Sequence, residues 1–172
     1  MKALKSTLLI ALLFIGASSY AQKFAYVDSQ FILEKIPEYQ QAQDELNALS
    51  AQWQKEIEAL YSDIDRMYKE YQAEQVLLTE EMRVEKENAI IEKEKKAKQL
   101  QRQRFGPEGD LYTKRQELIK PIQDQIFTAV LQVAEEGNYD FIFDKSSDLI
   151  MLFTNPKYDK SNTVLDRMGY NY

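Results

Sequence analysis

The sequence predicts an α+β fold in which a small β-body carries a long, protruding α-helical coiled-coil hairpin. A charged segment of about 100 residues carries apolar residues at the spacing of packed helices from Ala42 to Tyr71 and again from Leu111 to Val133, with few apolar residues at 85–104. Short β-prone runs lie before and after this segment. The chain has only five glycines and four prolines, and 29% of its residues are charged, which favours long helices over an all-β globule.

The first 21 residues have the pattern of a secretory signal peptide. A basic start is followed by an apolar run at residues 8–15, and the small residues Ser19 and Ala21 suit cleavage after Ala21. The run is too short for a membrane anchor, which needs roughly 20 apolar residues. We therefore expect an exported protein whose mature part, residues 22–172, forms a single domain.

Both ends of the mature chain are expected to form the β-body, residues 22–37 and 137–172. Residues 23–28 are β-prone and predict a first strand. Ser29 is placed to cap a short helix, which Pro37 interrupts because proline lacks the backbone N–H.

The outgoing arm of the hairpin begins at residue 38, and the whole hairpin is expected to span residues 38–136. Its apolar positions continue at intervals of three or four from Ala42 to Tyr71 and predict a coiled-coil seam. Tyr61 and Tyr68 flank this seam.

The hairpin turn is expected near residues 76–80. The strongest breaker is the segment at residues 105–110, but a turn there would leave arms of about 67 and about 27 residues, a mismatch of ~60 Å at 1.5 Å per residue. A turn near Thr79 gives arms of more similar length, and Thr79 is a plausible N-cap. The break at residues 105–110 then interrupts the returning arm, and Gly106, Pro107 and Gly109 become candidate hinge residues.

The C-terminal part is expected to complete the β-body. Residues 139–144 predict a second strand, and residues 149–154 predict a third. A short last helix is expected to begin near Ser161. Three short strands make a thin core, so oligomerisation would add the missing burial.

Composition excludes several classes of function. Without the signal segment, 20 basic residues face 28 acidic ones, so the net charge changes from −6 to −8, which repels nucleic acid. There is no histidine and no cysteine, so the usual general base and soft metal ligands are missing. No phosphate-binding or nucleophile-elbow motif occurs. The sequence predicts no enzyme activity and no cofactor.

The order of these parts resembles the Skp/OmpH family of periplasmic chaperones. An exported start is followed by FAYVDS at residues 24–29, a long charged hairpin, LIKPI at 118–122 and YDFIFDKS at 139–146. The resemblance implies a trimer of jellyfish-like shape, in which three helical tentacles enclose unfolded outer-membrane β-barrel proteins without ATP. This chain is acidic whereas the best-known members are basic, so contact with anionic lipid or lipopolysaccharide is not carried over.

Two sets of binding residues follow as hypotheses. Aromatic and aliphatic side chains of the predicted strands are candidates for the oligomer interface, and Tyr61 and Tyr68, which lie off the seam, are candidates for client contact. The alternative function is a structural trimeric spacer or tether in the cell envelope, which the same coiled coil would serve. The interface candidates are Phe24, Tyr26, Phe141, Phe143, Ile150 and Leu152.

Overall fold

The computed structural model describes residues 22–148 and 150–170, so the predicted signal segment lies outside the described residues. The described chain is mostly helical, with a small sheet and a long helical hairpin, which confirms the predicted fold class. Its elements in order are β1 (Phe24–Val27), α1 (Ser29–Lys35), α2 (Pro37–Glu74), α3 (Glu80–Phe105), α4 (Asp110–Gly137), β2 (Phe141–Asp144), a 3₁₀ turn (Pro156–Tyr158) and α5 (Ser161–Arg167).

The chain divides into two compact units. The hairpin unit is Phe31–Phe127, and the base unit consists of the residues on either side of it. Each unit has its own set of contacts.

The hairpin unit is built on the 38-residue helix α2. Pro37 occupies the first turn of α2, where its missing N–H costs no hydrogen bond, and Ile36 before it has extended backbone. Two apolar clusters lie between the arms. The distal cluster joins α2 to α3 through Ile64, Tyr71, Leu78, Ile90 and Ala97, and the proximal cluster joins α2 to α4 through Ala42, Leu46 and Ile119.

The turn between the arms lies between Glu74, where α2 ends, and Glu80, where α3 begins. The hydroxyl of Thr79 accepts a hydrogen bond from the backbone N–H of Met82 at 3.4 Å, the arrangement of an N-cap. Leu77 donates its backbone N–H to the carbonyl of Glu74 at 2.8 Å. The turn is therefore held by hydrogen bonds to both helices.

The base unit contains a two-stranded parallel sheet. Strands β1 and β2 pair with Phe24 opposite Phe141 and Val27 opposite Asp144. Parallel strands require a long crossover connection, and here the segment that contains the hairpin supplies it. The amide of Lys160 donates to the carbonyl of Tyr26 at 2.9 Å and extends the hydrogen bonding of β1 on its other side.

The prediction of a third strand at residues 149–154 is wrong for its described part, residues 150–154. Residues 150–154 have no strand hydrogen bonding, and Leu149 lies outside the described residues. The free edge of β1 is instead bridged by Asp159. The side chains of Ile150 and Leu152 are 85% and 96% exposed, so none of the described residues covers the apolar pattern that suggested a strand.

The last helix, α5, buries Val164 and Leu165 in the base. Ser161 donates its side-chain and backbone hydrogens to Asp159 at 2.6 and 2.8 Å. The same Ser161 oxygen accepts the backbone N–H of Asp28 at 2.9 Å. A serine that is only 3% exposed is thus fully used, as buried polar groups require.

Candidate client-binding surface

The inner seam of the hairpin is already occupied by the arms themselves. Ile64 and Ile90 are almost fully buried, and Ala97 is completely buried where the helices approach most closely. These side chains stabilise the hairpin and leave little surface for another molecule. Any client contact must therefore use the flanks, the turn or the base.

Tyr61 and Tyr68 lie on such a flank. Their side chains are 38% and 42% exposed, and each hydroxyl donates across to the returning helix at 3.3 Å, Tyr61 to Gln101 and Tyr68 to Glu94. The negative charge of Glu94 and this hydrogen bond raise the pKa of Tyr68. Both rings are thus fixed at the hydroxyl end while part of their carbon surface remains open.

Tyr68 also lines a shallow groove of about 270 Å³ on the distal hairpin. The Tyr71 hydroxyl at this groove donates to Glu87, which raises the pKa of Tyr71. The groove is large enough for one apolar side chain of an extended peptide. Of its lining residues, only Tyr68 was a client-contact candidate from the sequence. Its lining residues are Tyr68, Tyr71, Glu87, Ile90 and Ile91.

The turn itself exposes two aliphatic side chains that sequence reasoning did not single out. Val76 and Leu77 are 88% and 85% exposed, whereas the next residue, Leu78, is packed in the distal cluster. Turns usually carry polar residues or glycine. Two adjacent aliphatic residues at this position form a small apolar tip.

The candidate hinge residues form a tightly defined break between α3 and α4. The amide of Gly106 donates to the carbonyl of Arg102 at 2.8 Å, and the amide of Gly109 donates to the carbonyl of Gly106 at 2.9 Å. A Cβ added at Gly106 would lie 2.3 Å from the Arg102 carbonyl oxygen, so no other residue fits there without movement. Glu108 has a φ of 57° and takes the left-handed conformation.

The break is also packed against α2 through Trp53, a contact that sequence reasoning missed. The Arg104 guanidinium lies 4.8 Å from the centre of the Trp53 ring, and the Phe105 ring meets Trp53 edge-on at 6.3 Å. Arg104 also forms an ion pair with Asp110 at 2.5 Å. Trp53 lies within the predicted seam, but its spacing alone gives no signal for an arginine partner across a helix break.

In the base unit, three of the candidate interface residues form one aromatic face. The ring centres of Phe24 and Phe141 are 5.8 Å apart, and Phe143 lies 6.3 Å from Phe141. All three rings are exposed, Phe141 to 52%. Tyr26 differs, because it is only 7% exposed and leaves little surface for a partner.

The carboxylate of Asp144 anchors the end of β2 to the start of α1. It accepts the hydroxyl and the backbone N–H of Ser29 at 2.6 and 3.1 Å, and the hydroxyl and N–H of Ser146 at 2.7 and 3.0 Å. Burial raises the pKa of Asp144, but these hydrogen bonds outweigh burial and hold the pKa below its usual value. The site is a structural anchor, because all its polar groups are used within the chain.

Among residues 22–148 and 150–170, no cluster of three or more acidic side chains has the geometry to hold a metal ion. In the same part of the chain, no helix is both long and apolar enough to cross a membrane.

Comparison with known proteins shows the family of this chain. The model of the OmpH-like outer membrane protein family matches residues 23–168, which is most of the chain. The chain belongs to the OmpH-like family. No curated protein matches it.

A solved structure supports the OmpH-like fold. The crystal structure of an OmpH-like protein from Caulobacter crescentus CB15, named as a candidate outer membrane chaperone, is similar with a TM-score of 0.68. The match covers 87% of this chain and 85% of the other at 12% identity. At that identity the likeness establishes the fold alone.

Proposed function

We propose that this OmpH-like protein is an ATP-independent holdase chaperone that binds unfolded outer-membrane β-barrel proteins in the periplasm. The observation that carries the proposal is the partition of the hairpin's apolar residues. One narrow seam is buried between the arms, while aromatic and aliphatic side chains remain half exposed along the flanks and the turn. Membership of the OmpH-like family supports a chaperone role, and so does the name of the Caulobacter protein, a candidate outer membrane chaperone.

Weak contacts at many points suit the binding of an unfolded chain. Tyr61 and Tyr68 offer partly open rings, and the groove beside Tyr68 takes one apolar side chain at a time. Such contacts do not depend on one sequence, so they can accept many different segments. No nucleotide or cofactor is required, because holding needs no covalent chemistry.

The working form is proposed to be a homotrimer joined through the base. Phe24, Phe141 and Phe143 present one stacked aromatic face, and Ile150 and Leu152 add exposed aliphatic surface. A face of this kind on a two-stranded sheet favours burial between subunits.

The proposed location in the periplasm is supported by the N-terminal residues. The signal pattern predicts export with cleavage after Ala21, and the family is one of outer membrane proteins. The net charge of −8 in the mature chain argues against anionic lipid as a partner.

An aggregation-suppression assay tests this function. A denatured outer-membrane β-barrel protein is diluted into buffer without nucleotide, with and without the mature chain, and light scattering is followed. A holdase keeps the barrel protein soluble at near-stoichiometric ratios. A spacer or tether would leave aggregation unchanged, and that result would contradict the proposal.

A further inference from the structure

Helix α3 carries a second stripe of residues at coiled-coil spacing, on a face other than the one that packs Ile90 and Ala97 against α2. The positions alternate by three and four residues, which keeps them on one helix face. All of them are exposed, whereas Ile90 and Ala97 are buried in the distal cluster, and one edge of the stripe, at Ile91, borders the groove beside Tyr68. This outer α3 stripe consists of Glu81, Val84, Asn88, Ile91, Lys95 and Lys98.

The stripe changes character along its length. Its end nearest the turn is acidic, with Glu81 on the stripe and Glu80 beside it, and its other end is basic, with Lys98 and then Arg102. Among the residues that the structure describes, the side chains of Glu81, Lys98 and Arg102 form no ion pair, although charges are paired at many other points along the arms. Free charges of opposite sign are thus separated along one face.

Two exposed aliphatic residues lie in the central part of the stripe, one on each side of Asn88. Val84 and Ile91 are 48% and 44% exposed, although each lies on a helix that is otherwise highly polar. An open groove of about 540 Å³ runs beside Val84 and is lined by Glu80, Glu81, Glu85 and Asn88. Exposed aliphatic side chains between an acidic end and a basic end favour a pairing surface in which the charged ends set the register.

We propose that the outer α3 stripe binds the same stripe of a second copy of this chain, with the two helices antiparallel. The heptad spacing then places Glu81 opposite Lys98, Val84 opposite the aliphatic stem of Lys95, and Asn88 opposite Ile91. The two-fold axis passes between residues 89 and 90, so each contact occurs twice, as in isologous interfaces. Parallel pairing would place like charges together and is disfavoured.

A second copy is the partner that fits best, because the acidic end of the stripe is complementary to the basic end of an antiparallel copy. A membrane surface would meet carboxylates at one end of the stripe, and an acidic peptide would match only the basic half. A copy of the stripe pairs both charged ends at once and packs the aliphatic residues Val84 and Ile91 against the side chains of Lys95 and Asn88. The contact is separate from the proposed trimer, since a three-fold rotation cannot make two helices antiparallel.

The single contact is small and should be weak and sensitive to salt, because exposed ion pairs are screened. It gains strength when several hairpins of two assemblies engage together. Sedimentation velocity of the mature chain should show association beyond the base assembly at about 50 mM salt and its loss at about 500 mM, where the screening length is much shorter.

Charge reversal tests the partner directly. Lys98→Glu with Arg102→Glu, or Glu80→Lys with Glu81→Lys, should each weaken this association at least about tenfold, since each turns paired charges into like charges. An equimolar mixture of the two variants should regain it. The matched control, Lys55→Glu with Arg115→Glu, changes net charge equally at exposed positions outside the stripe and should leave association intact.

Cysteine cross-linking tests the register, because the chain has no native cysteine. Under mild oxidation, a copy with Asn88→Cys should link to a copy with Ile91→Cys. Lys98→Cys alone should not link, since its two thiols would lie about 25 Å apart along the helices. Equal linking of Lys98→Cys, failure of the mixed charge variants to associate, or no association at low salt would overturn the proposal. Circular dichroism confirms that each variant is helical.

Discussion

The guanidinium of Arg104 lies 4.8 Å from the centre of the Trp53 ring and joins the two arms where the returning arm is broken. The distal and proximal apolar clusters lie on either side of this point. Arg104 also pairs with Asp110 at 2.5 Å, across the break itself. One side chain therefore ties α2, α3 and α4 together where the apolar seam is interrupted.

Replacing Arg104 with glutamine should loosen this junction. The change removes a cation–π contact of about 0.5–2 kcal/mol and leaves Asp110 without its partner, so we expect a loss of about 1–3 kcal/mol in unfolding free energy. Trp53 is the single tryptophan, so its emission should shift to longer wavelength as water gains access. Arg115→Gln is the matched control. Unchanged emission and stability in Arg104→Gln would contradict the role of this contact.

The backbone of the break should tolerate little change at Gly106. Gly106→Ala places a methyl group 2.3 Å from the Arg102 carbonyl oxygen, and the helix must move to accept it. We expect a loss of about 1–3 kcal/mol in unfolding free energy, measured by urea titration. Glu108→Gly is the control at the same loop, because Glu108 has a φ of 57°, which glycine adopts at little cost, so its stability should change little.

The distal hairpin should be the more mobile part in solution. Residues 70–104 include the stretch of α3 that buries few side chains, and the break at residues 105–110 separates it from α4. Hydrogen exchange should therefore be faster in residues 80–100 than in residues 118–134. Equal protection in both segments would show that the Trp53 contact makes the break rigid, and the hinge hypothesis would be wrong.

The aromatic face of the base should be required for assembly. Phe141→Asp puts a charge among stacked rings, and burying it between subunits would be costly, so the variant should dissociate into monomers. Multi-angle light scattering measures this. Tyr112→Asp on α4 is the control, since Tyr112 is similarly exposed at 50% but lies outside the base. A folded monomer of the unmodified chain at micromolar concentration would contradict the trimer itself.

Sequence patterns predicted the long elements well because arm length and apolar spacing constrain them. The observed turn between Glu74 and Glu80 overlaps the range expected from arm lengths. The prediction of a third strand failed because an alternating apolar run does not show that the segment will pair. Asp159 bridges the edge of β1, and residues 150–154 pair with neither strand. The Arg104–Trp53 contact was not predictable, because it depends on how the two arms align across a break.

Stability should fall at acid pH partly through Asp144. Hydrogen bonds hold its pKa in the folded chain below the unfolded value of about 3.9. The carboxylate therefore stabilises the fold above the unfolded pKa, and this contribution is lost as pH falls through the folded pKa. Asp144→Asn should reduce stability at pH 7 and flatten the loss below about pH 4. Asp148→Asn, at an exposed carboxylate, is the matched control at pH 7 and should leave stability there unchanged. Thermal unfolding across pH measures the effects of the Asp144 change.

Client retention should depend on Tyr61 and Tyr68 rather than on net charge. Changing both to serine removes two partly open rings, each worth about 1 kcal/mol of contact in so exposed a setting. Affinity for an unfolded barrel protein should therefore fall about tenfold or more. Binding should survive an increase from low to physiological salt, because apolar contacts are not screened. Fluorescence anisotropy of a labelled client measures both effects.

The matched control is Tyr112→Ser with Tyr158→Ser, which removes two tyrosines of similar exposure elsewhere and should leave affinity unchanged. If physiological salt abolished binding while the Tyr61 and Tyr68 double variant bound normally, charge would hold the client and this mechanism would be wrong.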